Sequence, residues 1–144
     1  MTDRDPDRLV ATWFDDLFGH GDYEVLDELV TESVDYHGPQ NIAPGETSGR
    51  DAIEDYVAVY RRAFPDISYE VEEVVAADGV VTARWSLQGT LESDLFGVES
   101  SGEVVTGHGI SVFHLSDDGK FAEIWSQWDT LSLAQELDIV PAVE

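Results

Sequence analysis

The sequence predicts an α+β fold in which helices come first and a meander of long strands follows. Two observations carry this. Up to Phe64 the apolar residues recur at helical spacing, whereas from Ile67 onward they alternate as in strands and are rich in Val, Ile, Trp and Phe. The strand-like runs succeed one another through turn signals such as Asp78-Gly79 and Asp118-Gly119, which predicts antiparallel hairpins rather than βαβ units. A chain of 144 residues suits one domain spanning 1–144, large enough to bury a core and enclose a small cavity. A strongly curved sheet closed on one side by helices makes a cone, and the interior of a cone is the natural ligand site.

The elements follow in order. Asp5 can cap a first helix with Pro6 at its first position, and Leu9, Val10, Trp13, Phe14, Leu17 and Phe18 give its apolar face before Gly19. A short second helix is expected after Asp22, with Val25, Leu26, Leu29 and Val30 inward. "SVDYHGP" reads as a short strand, and Gln40 to Thr47 as a loop over a cavity mouth. A third helix is expected from Ser48 as cap, with Ile53, Tyr56, Val57, Tyr60 and Phe64 on its stripe and Pro65 as its stop. Four long strands then run through "ISYEVEEVVAA", "GVVTARWSLQGTL", "EVVTGHGISVFHL" and "KFAEIWSQWDTL", and "SLAQELDIV" closes the chain as a short helical or irregular tail.

Composition excludes several kinds of chemistry. With no cysteine there is no disulfide, thiolate nucleophile or cysteine-ligated zinc. A net charge of -24, from 31 acids against 7 bases, argues against nucleic acid and anionic membranes as partners. No apolar run is long enough to span a bilayer and "MTDRDPDR" lacks the features of a signal peptide, so a cytoplasmic protein is expected. We read the spread of acids, with Lys120 the single lysine, as adaptation to a salt-rich cytoplasm. "TGHGIS" lacks the strand–turn–helix context of a phosphate cradle, and no serine elbow is present.

The stretches "LDELVTESVDYHGP", "SGRDAIEDYVAVYRRAFPD" and "TGHGISVFHLSDDGKFAEIWSQWD" together resemble the SnoaL-like polyketide cyclases of the NTF2-like, ketosteroid-isomerase-like superfamily. The matching features are His37 after the second helix, Gly49 opening the third, the Phe64-Pro65-Asp66 stop, and a strand ending in Trp-x-x-Trp-Asp at Asp129. The resemblance implies a cone-shaped α+β barrel, a homodimer, and an enclosed apolar pocket. It also implies ring closure or isomerisation of a small or medium apolar carbonyl compound without cofactor or metal, with an aspartate matching Asp129 as acid/base.

Proton abstraction beside a carbonyl needs a base near the carbon and a donor near the oxygen, both in a dry pocket. Asp129 is expected in the first role, carried into the pocket by its strand, with burial raising its pKa; its other reading is the cap of a helix over "SLAQEL". His37 is the second expected catalytic group, because its pKa suits either role near neutrality. In a regular strand Trp125, Gln127 and Asp129 share a face, and Gln127 or His37 would hold the substrate oxygen.

His108 is expected to reach the pocket; it cannot share a metal with His114, about 20 Å away at roughly 3.3 Å per residue, and no metal site is expected. Trp13, Phe14, Tyr56, Tyr60, Trp85, Phe96, Trp125 and Trp128 supply a wall for a flat apolar ligand. Arg84 is expected to be an ion-pair partner, since the epoxide hydrolases of the superfamily carry an aspartate two residues after their arginine where this chain has Ser86. A non-catalytic ligand-binding or protein-interaction module is the rival reading. A homodimer also follows from "ISVFHL" and "FAEIW", which carry apolar residues at both parities and so leave the outer face of the sheet to be covered.

The charge generates a prediction of its own. Screening shortens to roughly 3 Å at molar salt, so repulsion among the acids fades and the melting temperature should rise from low to molar salt. A melting temperature flat across that range would count against adaptation to salt.

Overall fold

The computed structural model describes residues 5–38, 46–94, 99 and 101–137. Helix α1 (Pro6–Ala11) begins as expected: Asp5 Oδ1 accepts the Asp7 N–H at 3.0 Å, and Pro6 occupies the first turn. It does not run on as an α-helix to Gly19. Thr12–Gly19 widens into a π-helical segment, and the sequence explains why. The apolar pairs Leu9/Val10, Trp13/Phe14 and Leu17/Phe18 repeat every four residues, more than the 3.6 of an α-helix, and the wider i→i+5 turn keeps all six buried. Arg61 closes the segment by donating from Nη1 to the carbonyls of Phe18 and Gly19 at 2.8 and 2.7 Å.

A single 3₁₀ turn (Tyr23–Val25) leads into α2 (Leu26–Leu29); Asp22 precedes the turn but makes no capping bond. Strand β1 (Val30–His37) alternates, with Val34 and Tyr36 buried, Asp35 exposed and His37 half-buried. The loop expected from Gln40 to Thr47 is shorter than that. Glu46–Ser48 form a strand, β2, antiparallel to β1, and positions 39–45 lie outside the described residues. Ser48 belongs to this strand and donates from Oγ to Asp35 Oδ1 at 2.6 Å, so it does not cap the next helix; Gly49, at φ 91°, takes that position in a conformation that favours glycine. Helix α3 (Arg50–Ala63) buries Ile53, Tyr56, Val57 and Tyr60 and ends before Phe64-Pro65.

Four long strands complete the sheet: β3 (Ser68–Ala77), β4 (Val80–Thr90), β5 (Val104–Leu115) and β6 (Phe121–Trp128). The order is β2-β1-β6-β5-β4-β3, antiparallel throughout except where β1 runs parallel to β6. The sheet is curved but open: β2 and β3 are its edges and do not pair, so the barrel expected from the sequence is a cone left unclosed along one side. Asp66 ties α3 to this sheet, its carboxylate accepting from the Thr90 N–H at 2.7 Å and the Thr90 hydroxyl at 2.8 Å, which holds its pKa below the ordinary value. A last helix, α4 (Thr130–Glu136), follows β6 directly.

Alternation decides which side chains enter the cone. On β4 these are Val81, Ala83, Trp85 and Leu87, and on β6 Ile124, Ser126 and Trp128. Between them β5 turns Gly107 and Gly109 inward, and the two indoles lie over these glycines. A Cβ at Gly107 would stand 2.9 Å from Cε3 of Trp128; one at Gly109 would meet the Trp85 ring and stand 2.7 Å from the Gln127 carbonyl oxygen. A methyl group there overpacks the core. Gly109→Ala should therefore lower the free energy of denaturant unfolding by about 1–3 kcal/mol, whereas a substitution at exposed Val104 should stay within about 0.5 kcal/mol. Equal, small effects at both positions would mean that the indole does not depend on the missing side chain.

Candidate functional site

The interior of the cone is walled by side chains from two helical segments and four strands: Trp13, Phe14 and Phe18 from the π-helical segment, Tyr56 and Tyr60 from α3, Tyr36 from β1, Tyr69 from β3, Trp85 and Leu87 from β4, and Ser126 and Trp128 from β6. Its free volume is about 20 Å³, room for about one water. Larger hollows, such as one of about 530 Å³ beside Asp5, Arg8 and Glu28, are open to solvent and lined by scattered surface side chains. The small interior cavity is the site worth reading, because it gathers buried polar groups against an apolar wall.

Those polar groups, apart from Tyr69, form a line. Trp85 Nε1 donates to Ser111 Oγ at 3.0 Å, and Ser111 Oγ lies 2.7 Å from Ser126 Oγ. Ser126 and Tyr56 both hydrogen-bond to the Tyr36 hydroxyl, the hydroxyls of Tyr56 and Tyr60 are 3.1 Å apart, and Trp128 hydrogen-bonds to Tyr60. Burial pushes the phenols of Tyr36, Tyr56 and Tyr60 above the ordinary tyrosine value, so all three stay protonated at neutral pH. No carboxylate, imidazole or amide side chain lines the cavity among the described residues. What this arrangement offers is hydrogen-bond donation to an oxygen in a dry aromatic setting.

Of the residues singled out in the sequence, Trp13, Phe14, Tyr56, Tyr60, Trp85 and Trp128 face this cavity. Asp129 does not, which corrects the expectation of a buried carboxylate with a raised pKa. It stands just beyond β6, exposed, and caps α4: its Oδ1 accepts the Ser132 N–H at 3.0 Å and its Oδ2 accepts the Ser132 hydroxyl, bonds that lower its pKa. The helix-cap alternative weighed for "SLAQEL" describes what is seen. Trp125, Gln127 and Asp129 do share one parity, but it is the outer one, because Ser126 and Trp128 take the inner.

His37 and His108 are likewise on the outside and not in the pocket. His37 follows Tyr36, so it must point away from the cone; its Nε2 meets Glu123 Oε2 at 2.9 Å and its ring stacks on Trp125 at 5.2 Å between centroids. Trp125 also packs against His114 at 4.7 Å. His108 is exposed between inward-facing Gly107 and Gly109, and Gln127 is exposed as well. Neither Gln127 nor His37 is placed to hold an oxygen in the cavity. Arg84 is paired with Glu72 and, at 3.5 Å, with Glu73, as expected of it. Phe96 lies outside the described residues. The polar residues that went unnoticed are Tyr36, Tyr69, Ser126 and Ser111; the alternation of Val34 and Tyr36 against Asp35 and His37 already marks Tyr36 as inward.

The cap role of Asp129 has a pH signature. Its folded pKa lies below the unfolded value of 3.8, so its contribution is complete above that value and is lost as pH falls through the folded pKa. Asp129→Ala should cost about 0.5–2 kcal/mol near pH 7, and the gap to wild type should narrow only as pH falls below 3.8 and through the folded pKa. Asp129→Asn, an equally good cap, should keep most of the stability. A destabilisation that persisted unchanged in acid would rule out the carboxylate cap as its source.

Comparison with known proteins places this geometry. No curated protein sequence matches the chain. Among solved structures, a SnoaL-like polyketide cyclase candidate from Jannaschia sp. CCS1 is 24% identical with a TM-score of 0.83, the match covering 98% of this chain and 100% of that one. A polyketide cyclase candidate from Acidithiobacillus ferrooxidans is 20% identical with a TM-score of 0.79, covering 96% and 99%. IdmH, a polyketide cyclase candidate from Streptomyces antibioticus, is 22% identical with a TM-score of 0.80, covering 94% and 99%. The model of the SnoaL-like polyketide cyclases matches residues 8–137, nearly the whole chain, and the protein belongs to that family.

Proposed function

We propose that the cone binds a small, flat, apolar carbonyl compound and promotes proton transfer beside its carbonyl without cofactor or metal, as in a ring-closing cyclisation or an isomerisation. The observation that carries this is the conjunction of an aromatic wall with hydroxyl donors that remain protonated. Such donors stabilise the negative charge that builds on a carbonyl oxygen as a neighbouring C–H bond breaks and its proton passes to a water or hydroxide, since no side-chain base lines the cavity among the described residues. The named chemistry of the structural relatives is of the same kind. The free volume holds an oxygen but not a ring, so a ring-sized ligand enters only as wall side chains move. The outer face, with Ile110 exposed near half-buried Trp125, supports a homodimer in which a second copy covers it.

A second reading, ligand binding without turnover, is favoured by one observation: Asp129 and His37, the two acid/base groups expected from the sequence, both lie outside the cavity. One experiment separates the two. 2-Acetylnaphthalene deuterated at its methyl group should quench tryptophan fluorescence saturably, because Trp13, Trp85 and Trp128 line the cavity. Under the first reading the protein also washes the deuterium out at least about a hundred times faster than buffer, the low end of what positioned acid/base groups contribute. Saturable quenching with washout at the buffer rate establishes the second reading, and absence of quenching dismisses both.

A further inference from the structure

We propose that Tyr69 is the residue of the cone that binds the ligand oxygen: its hydroxyl, held at the open margin of the sheet and bonded to nothing else, donates to the carbonyl of the compound on which the site acts. This rests on the cone being the ligand site and names the group that meets the ligand there.

Tyr36, Tyr56, Tyr60, Tyr69 and Ser126 bring the hydroxyls of the cavity wall. Four of them are already shared with neighbours. The hydroxyls of Tyr56 and Tyr60 are 3.1 Å apart, Ser126 Oγ lies 2.7 Å from Ser111 Oγ, and the Tyr36 hydroxyl bonds to Ser126 and Tyr56. Tyr69 differs from all of these, because its hydroxyl has no hydrogen-bond partner among the described residues. A ligand oxygen that approaches it displaces no bond within the protein. A hydroxyl sealed away without a partner would be costly, and among the described residues no fully buried side-chain oxygen or nitrogen lacks one. The Tyr69 hydroxyl is therefore open to a small molecule. Its burial agrees with this: Tyr36, Tyr56 and Tyr60 are buried, whereas Tyr69 is half-buried.

The sequence puts Tyr69 in this place. Ser68 and Glu70 are exposed, which leaves Tyr69 to the inner face of β3, opposite Leu87, a wall residue of β4. Because β3 is an edge of the sheet, Tyr69 stands on the side where the cone is unclosed. Its ring is fixed there by three others, with centroids 5.1 Å from Phe14, 5.6 Å from Phe18 and 5.4 Å from Trp85. A donor on a ring so held needs little reorganisation to meet charge growing on a carbonyl oxygen. Burial among these rings lifts the pKa of the phenol well above the ordinary tyrosine value, so it donates a hydrogen bond and stays protonated while the C–H proton passes to water or hydroxide.

Tyr69→Phe removes the hydroxyl and keeps the ring. Since that hydroxyl bonds to nothing in the empty protein, the variant should melt with wild type, whereas Tyr56→Phe, which takes a partner from Tyr60, should melt lower. The ligands are 2-acetylnaphthalene and 2-ethylnaphthalene, titrated by tryptophan quenching. Wild type should bind the ketone about two- to tenfold more tightly than the hydrocarbon, the range of one net hydrogen bond. The infrared carbonyl band of the bound ketone should lie below its position in an apolar solvent. Tyr69→Phe should lose the preference and return the band to that position, while Tyr56→Phe should keep both. A preference or a lowered band that survives in Tyr69→Phe overturns the assignment, as does wild type that binds both ligands equally. A Tyr69→Phe protein that melts as low as Tyr56→Phe, or fails to fold, also overturns it, since the hydroxyl would then be bonded within the protein. Failure of both ligands to quench wild type removes the cone itself as the site.

Discussion

Trp13 meets four other rings, and the rest of the structure is arranged around that fact. Its indole lies 5.5 Å from Phe18 within the same π-helical segment, 6.1 Å from Tyr36 on β1, 5.8 Å from Phe113 on β5 and 6.0 Å from Phe121 on β6, and it is 1% exposed. Ring contacts of this kind are directional and add to the burial of the rings themselves. They require the segment carrying Trp13, Phe14 and Phe18 to present all three to one side, which the widened turn achieves. They also require the sheet to curl over it. The inward glycines of β5 meet the same requirement from the opposite wall, letting the indoles of Trp85 and Trp128 lie close against the strand.

Two consequences follow for the polar groups. Inside the cone, several hydroxyls and indole N–H groups partner one another, forming a line rather than isolated pairs, with Trp85 and Trp128 at its ends. Outside, three of the cations are used on backbone carbonyls. Arg61 closes the π-helical segment, Arg50 donates to the carbonyls of Asp27 and Val30, and Lys120 donates to the carbonyl of Asp27. In a chain carrying 31 acids these contacts place positive charge where helix carbonyls converge, which favours them electrostatically.

Much of the fold was legible because it is written in periodicity. The change of period near Ile67, the turn pairs at Asp78-Gly79 and Asp118-Gly119, the Asp5 cap and the Pro65 stop all appear where the sequence predicts them. The π-helical turn was legible in principle, since a repeat of four is not a repeat of 3.6, but apolar spacing read loosely passes for an α-helix. The site was less legible for a different reason. Trp125 and Trp128 are equally apolar, and the residue that decides between them is Ser126, a small hydroxyl that an apolar pattern scores as outward although it is buried with Ser111. Once Ser126 is inside, Trp128 follows it in, while Trp125, Gln127 and Asp129 fall outside. At Asp129 the acid-among-indoles pattern and the Asp-x-x-Ser cap pattern compete for one residue, and the local cap prevails because the strand ends before it. His37 could have been placed by parity, since Val34 and Tyr36 claim the inner face of β1.

The central claim is that ligand chemistry belongs to the inside of the cone and is directed by hydroxyls. A crystal structure of the protein grown with 2-acetylnaphthalene tests it most directly. The account predicts the rings of the ligand among Trp13, Trp85 and Trp128, with the carbonyl oxygen within hydrogen-bonding distance of one of the cavity hydroxyls of Tyr36, Tyr56, Tyr60, Tyr69 or Ser126. A ligand seated on the outer face beside His37 and Trp125, with the cone unchanged, would contradict it.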